Sequence, residues 1–294
     1  MKESDFMTAS NTLGRAFEYA LCKKIDSNFT NITLTDRAVV EQSKDKRYYD
    51  ALNSDEKSKY DISTNRICSE WLNLKLIASN IYTLDRLPDS AGVNGDVTDI
   101  RLESPNAIIN ISLKHNHNAL KHPRLTRVPK WIDINTDNKY ASDYKNIWDS
   151  FLSKANTLSS TATLFNELIA IEDNFVFDNL YNPLCKLVSN YLTKNIKTSS
   201  QVESLFKFMV GKYDFYKIID NPDYVLIQDF IDLKMPKNVK IEQTDKSYIK
   251  MTFNNGVILN LRIHTASSRI STKSVKFDVR GSFDDIESIT INKN

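Results

Sequence analysis

The spacing of apolar residues changes character several times along the chain. In TLGRAFEYALCKKI, Thr12 to Ile25, Leu13, Phe17, Ala20 and Leu21 recur at helical spacing. A second helix is predicted across SEWLNLKLIASNIY, Ser69 to Tyr82. LPDSAGVNGD, Leu87 to Asp96, then collects Pro, Gly, Asn and Asp and reads as a loop. DIRL, Asp99 to Leu102, alternates like a strand, and ESPN, Glu103 to Asn106, is a turn. AIINISLK, Ala107 to Lys114, is apolar and β-branched enough for a central strand, which completes a hairpin. From about Asp143 to Phe230 the text reads as helical, most clearly in KNIWDSFLSKA, TLFNELIAIED, NPLCKLVSNYLTK and VESLFKFMVG. From Val239 onward the period returns to two, and YIKMTF and VILNLRIH are joined by Asn254-Asn255-Gly256, a good hairpin turn. SVKFDVRG adds a further strand. The order predicts an α/β or α+β fold, a mixed sheet flanked by helices with a helical insertion, in three segments: 1–142, 143–235 and 236–294.

Composition narrows the class. With 41% hydrophobic and 26% charged residues the chain is an ordinary globular one, long enough for a sizeable core. Six glycines form neither a P-loop nor a dinucleotide fingerprint. Cys22, Cys68 and Cys185 are far apart and read as core residues in a reducing compartment. There is no apolar run of about 18 residues and no basic-then-apolar leader, so a cytoplasmic protein is the simplest expectation. The net charge is only +2, so a polyanion would have to be bound by local patches.

One such patch stands out. SLKHNHNALKHPRLTRVPKW, Ser112 to Trp131, holds five Lys or Arg, three of the four histidines and no acid. It follows directly on the predicted hairpin, whose mouth carries Asp96 and Asp99. Lys114 lies 15 residues beyond Asp99, at the end of the next strand. Paired strands can set such an Asp beside such a Lys. A carboxylate there can hold Mg²⁺, and a lysine can orient an attacking water or stabilise charge on a phosphate. The pattern resembles the PD-(D/E)XK nuclease motif. Pro88-Asp89 spells the literal "PD" but precedes the strands, so Asp99 fits better. The usual acidic residue two positions before the lysine is Ser112, so a second carboxylate must come from Asp96, Glu103 or the helical Glu18; Asp96 and Glu18 are favoured, because Glu103 sits at the far end of the hairpin.

SLKHNHNALKHPR resembles the catalytic-lysine region of the HaeIII-type restriction endonucleases. GRAFEYAL, Gly14 to Leu21, and LRIHTASSRI, Leu261 to Ile270, are similar to two other pieces of that family, in the family's order. The resemblance implies a type II restriction endonuclease that cuts both strands of duplex DNA with Mg²⁺, leaving 5′-phosphate and 3′-hydroxyl ends, and is associated with GGCC. It implies metal roles for Asp99, Asp96 and Glu18 and a catalytic role for Lys114, with Ser112 in the matching SLKHN; His115, beside Lys114, is expected to contact the scissile phosphate or to support the site by a hydrogen bond. It also implies a methyltransferase that protects host DNA. On this reading 1–142 is the first part of the nuclease core, with the catalytic hairpin and the basic stretch. Segment 143–235 is a helical insertion or layer, and 236–294 completes the DNA-binding core.

Guanine offers O6 and N7 in the major groove, which arginine binds together. Arg124, Arg127, Arg262 and Arg269 are candidates for that role, with Lys121 and Lys130 assigned to phosphates. VILNLRIHTASSRISTKSVK, Val257 to Lys276, is cationic again, with four Lys or Arg and no acid. It brings His264, Ser267 and Ser268 to the DNA-binding set, which His122 joins from the first patch. A palindromic site favours a homodimer. The competing readings are a repair or methylation-dependent nuclease on the same fold, and a DNA-binding protein without catalysis, for which Ser112 is the warning sign. A zinc site on His115, His117 and His122 lacks a recognisable ligand spacing.

Overall fold

The computed structural model describes residues 4–88, 95–283 and 286–294, with side chains from residue 12 onward. The chain separates into two compact units. The first comprises 1–118, 211–233 and 285–294, and the second 119–210 and 234–284.

The first unit begins with α1 (Ser4–Asn28), longer than its apolar stripe suggests. β1 (Ile32–Leu34) and two helices, α2 (Asp36–Asp50) and α3 (Ser54–Arg66), follow. Thr35 caps α2 by accepting from the Ala38 amide. Asn53 and Glu56 form a reciprocal capping box on α3, a device that stabilises by about 1 kcal/mol. The chain continues through a π-helical turn (Ile67–Leu72) into a short α4 (Asn73–Lys75). The helix expected over Ser69 to Tyr82 therefore stops at Lys75, and Tyr82 opens β2 (Tyr82–Arg86). β3 (Ile100–Ser104) and β4 (Ala107–His115) form the expected hairpin, closed by Ser104 Oγ accepting from the Ala107 amide.

β5 (Phe215–Asp220) and β6 (Tyr224–Phe230) come next in the sheet, with β11 (Ser288–Asn292) at its edge. The order is β1-β2-β3-β4-β5-β6-β11. β1 and β2 are parallel, as are β4 and β5. The helical span expected over 143–235 is thus too long, since residues 215–230 are strands of this sheet. One face of the sheet, with Ile100, Leu102, Ile109, Ile111, Leu113 and Ile218, packs into a core with Phe17, Ala20 and Leu21 of α1. Alternation sends Arg101, Asn110, Ser112, Lys114 and Lys217 to the other face.

The second unit opens with the basic stretch, which runs extended into a 3-10 helix (Leu125–Ile132). α5 (Asn138–Leu158), α6 (Phe165–Ile171), a π turn (Phe177–Tyr181), α7 (Asn182–Asn195) and α8 (Ser199–Val210) follow. The remaining strands, β7 (Val239–Asp245), β8 (Tyr248–Phe253), β9 (Ile258–Thr265) and β10 (Val275–Ser282), make an antiparallel sheet in the order β10-β9-β8-β7. Gly256, at φ 87°, supplies the left-handed residue that turns β8 into β9. No helix among the described residues is long and apolar enough to cross a membrane.

Candidate active site and nucleic-acid interface

Asp99 is the residue before β3. Its amide donates to the Ile111 carbonyl at 2.8 Å, which puts it opposite Ser112. Its Oδ2 accepts from the Leu113 amide at 2.7 Å and from Ser112 Oγ at 3.5 Å. Lys114 Nζ lies 4.0 Å from the same oxygen. The two side chains are about one-fifth exposed (23% and 20%), so they meet at the surface of the sheet and not in the core. Ser112, only 1% exposed, is buried beneath them. The hairpin thus brings Asp99, Ser112 and Lys114 together.

The other expected carboxylates are engaged elsewhere. Asp96 pairs with Arg101 at 3.1 Å and accepts from the Thr98 amide. Glu18 is in a close ion pair with Arg86, which also lies 3.3 Å from Asp45 and donates to the Asp99 carbonyl at 3.3 Å. Arg86 is 1% exposed, and a buried guanidinium needs such carboxylates around it. One guanidinium therefore links Glu18 to the backbone of Asp99. Asp89 lies outside the described residues.

The donor set is all oxygen. Mg²⁺ takes one or two carboxylates and fills its remaining positions with water and substrate phosphate, so Asp99 with one partner suits it. No group of three or more His, Cys, Asp or Glu gathers among the described residues, so neither the three histidines nor the three expected carboxylates Asp99, Asp96 and Glu18 come together as a ready-made ligand set.

His115 points to the opposite face from Lys114. Its Nδ1 lies 3.1 Å from Asp220 Oδ2, and Asn116, at φ 55°, ends the strand. Asp220 is 2% exposed and also receives Ser63 Oγ at 2.7 Å and Lys293 Nζ at 2.6 Å. Burial alone would raise its pKa, but His115, Lys293 and Ser63 hold it below the usual carboxylate range. In this arrangement His115 braces the end of β4. Asp220 escaped the sequence reading, as did Lys217. In the β4–β5 register Lys217 faces Ser112, and it is 3% exposed. Burial first, and Lys114 second, lower its pKa to about 7.

In the second unit the two cationic runs come together. The Leu120 amide donates to the Val279 carbonyl at 2.8 Å, and the Phe277 amide donates to Pro123 O at 3.0 Å. Residues 120–124 thereby run along β10, itself paired to β9. His122 and His264 stand 6.2 Å apart between ring centroids, and Arg124 bridges to Lys276 in the ladder. Burial and then Lys276 lower the pKa of His264, while burial and then Arg124 lower that of Lys276. The 3-10 helix buries Leu125, Val128, Trp131 and Ile132, which leaves Arg127 and Lys130 exposed. Arg262, Ser268 and Arg269 are exposed, and Ser267 is half-buried. Lys121 differs: its Nζ sits 3.8 Å over the Phe208 ring and donates to the Phe208 carbonyl, so it packs in place. Lys276, the last cation of the run Val257 to Lys276, lies on the same surface, though the sequence reading gave it no individual role.

A mixed sheet flanked by helices, with a carboxylate and a lysine apposed at one strand end, is the architecture of restriction-endonuclease-like nucleases. The chain belongs to the HaeIII restriction endonuclease family, whose sequence pattern matches residues 14–241. It is also 27% identical, over 313 aligned positions, to the type II restriction enzyme HaeIII of Haemophilus aegyptius, with 92% of this chain and 93% of that protein covered. No solved structure matches it. The protein is a type II restriction endonuclease, a site-specific deoxyribonuclease.

Proposed function

We propose that the enzyme hydrolyses both strands of duplex DNA at GGCC in a Mg²⁺-dependent reaction centred on Asp99 and Lys114. The observation that carries this reading is the 4.0 Å approach of Lys114 Nζ to Asp99 Oδ2 across the β3–β4 hairpin. Asp99 would hold the cation, with Glu18 or Asp96 as its second carboxylate. When bound, Mg²⁺ polarises the phosphoryl oxygen and lowers the pKa of a bound water. Asp99 is oriented by the Leu113 amide, which fixes one carboxylate oxygen. Lys114 orients the attacking water and stabilises negative charge growing on the phosphate. Ser112 supports Asp99 from below. His115 acts through the strand, by its bond to Asp220.

The second unit grips the DNA. Arg124, Arg127, Arg262 and Arg269 read guanines, and Lys130, His122, His264, Ser267 and Ser268 contact the backbone or base edges, while Lys121 holds the stretch in place against Phe208. The kinship with HaeIII supports GGCC as the site. A homodimer would match the two-fold symmetry of that palindrome. In the cytoplasm a methyltransferase of the same specificity would protect the host's own sites.

Digestion of unmethylated plasmid with and without Mg²⁺, with sequencing of the fragment ends, tests the proposal. Discrete Mg²⁺-dependent ends at GGCC are expected. Discrete ends at another sequence would discard the specificity and keep the enzyme. Cutting that is indifferent to divalent cations would discard the metal reading.

A further inference from the structure

Lys217 is an unexpected residue for its position. It lies in the middle of β5, a strand whose six residues are all buried, and no carboxylate among the described residues lies within ion-pairing distance of it. A buried ammonium without a counter-ion destabilises a fold. A second cation, Lys114, stands close enough to add to the penalty. Among the described residues, the one hydrogen bond from Lys217 Nζ goes to the Asn118 carbonyl at 2.7 Å.

That bond falls at a telling place. β4 ends at His115, and the chain turns at Asn116 in the left-handed region. The register Ser112↔Lys217 sends the Lys217 side chain along the face that carries Ser112 and Lys114. Its side-chain amine then fastens the turn at Asn118, four residues past Lys114. On the opposite face, Asp220 of the same strand holds His115, and its carbonyl receives the Asn116 amide at 2.9 Å. β5 therefore grips the end of β4 from both faces, Asp220 from one and Lys217 from the other.

We propose that Lys217 is a positioning residue for cleavage, which fastens the turn behind Lys114 so that the Lys114 ammonium stays aimed at the phosphate beside Asp99. The inference rests on the proposed role of Lys114. It explains why the fold keeps a lysine where an apolar side chain would be more stable: the loss in stability is retained for geometry at the reacting lysine.

The test compares Lys217→Met, which keeps length and removes charge and donor, with wild type in melting temperature, in DNA affinity without divalent cation and in single-turnover cleavage with Mg²⁺. Melting temperature is expected to rise and affinity to stay unchanged, while the cleavage rate falls by about 10- to 100-fold, the scale of a reacting group displaced by an ångström. Propylamine added to Lys217→Ala is expected to restore part of the rate by supplying an amine at the vacated position. Cleavage by Lys217→Met at the wild-type rate would overturn the proposal. So would a loss of cleavage accompanied by a lowered melting temperature and no rescue by the amine, because that is the signature of packing alone. Lys114→Ala is assayed in parallel: if it still cuts, the assignment of Lys114 itself fails, whatever Lys217→Met does.

Discussion

Arg86 and Arg262 carry the same guanidinium in opposite settings. Arg86 is buried, ion-paired to Glu18 and Asp45, and bonded to the Asp99 carbonyl. Arg262 is exposed on β9, opposite Asp278 in the β9–β10 register, on a surface where burial first and neighbouring cations second lower the pKa of His264 and Lys276 and Asp278 partly offsets them. The first setting fixes atoms in place and has little charge left for a distant partner. The second has little fixed geometry and several cations offset only in part by Asp278, which suits a phosphate backbone. On the proposed reading, cleavage and grip are built by different uses of the same residue types. Substitutions in the two regions should separate them.

The largest effect is expected at Lys114. Lys114→Ala should lower the cleavage rate by about a thousandfold or more, the scale seen when a preorganised donor to a developing charge is lost. Binding to the same DNA without divalent cation should be little changed. The mirror experiment is Arg124→Ala with Arg262→Ala, measured singly on cognate and scrambled duplexes. Each should weaken cognate binding by about 1–3 kcal/mol and scrambled binding by less. If Lys114→Ala weakens binding as much as the arginine variants do, the division between the two regions fails.

Asp220 comes next, and its effect is on stability. It is a buried carboxylate facing Lys293, Ser63 and His115. Asp220→Asn leaves Lys293 without its charge partner and should cost about 3 kcal/mol or more in urea unfolding. The folded-state pKa of Asp220 is depressed, so its contribution is present above the ordinary carboxylate pKa and lost as pH falls through the lower folded value. Wild-type stability should therefore drop on acidification below about pH 4, and the variant should show a shallower drop over the same range. Equal slopes would remove Asp220 from the acid response.

The hairpin was legible because β3 and β4 alternate on one buried face and are separated by a turn-forming Glu-Ser-Pro-Asn. The spacing of Asp99 and Lys114 followed from that hairpin. β5 was not legible, because it is buried on both faces and so loses its alternation, and a lysine interrupts its apolar run. Lys217 and Asp220 reach β4 by a parallel pairing about a hundred residues away in sequence, and local pattern carries no sign of it. α2 was hidden for another reason. Its buried positions are Ala38, Gln42 and Asp45, at helical spacing but without an apolar stripe to reveal it. The cationic runs were visible as composition. Their meeting along β10 was not, because it depends on the Leu120–Val279 and Pro123–Phe277 hydrogen bonds.

The smallest effect is expected at Lys130, where it discriminates best between a field and a fixed contact. Lys130 is exposed at the end of the 3-10 helix, whose buried Trp131 and Ile132 hold it outward. If it neutralises one phosphate, Lys130→Ala should reduce the slope of log affinity against log salt by about 0.9, with only a modest loss of affinity at physiological salt. The loss should be the same on cognate and scrambled DNA, because a phosphate contact carries no sequence information. Lys121→Ala provides the contrast. Its ammonium is held over Phe208 and bonded to that residue's carbonyl, so its removal should lower the melting temperature and leave the salt slope closer to wild type. A full unit of slope lost at Lys121 and none at Lys130 would reverse the assignment and place the DNA backbone against the strand-paired part of the stretch, beside β10, instead of against the helix that follows it.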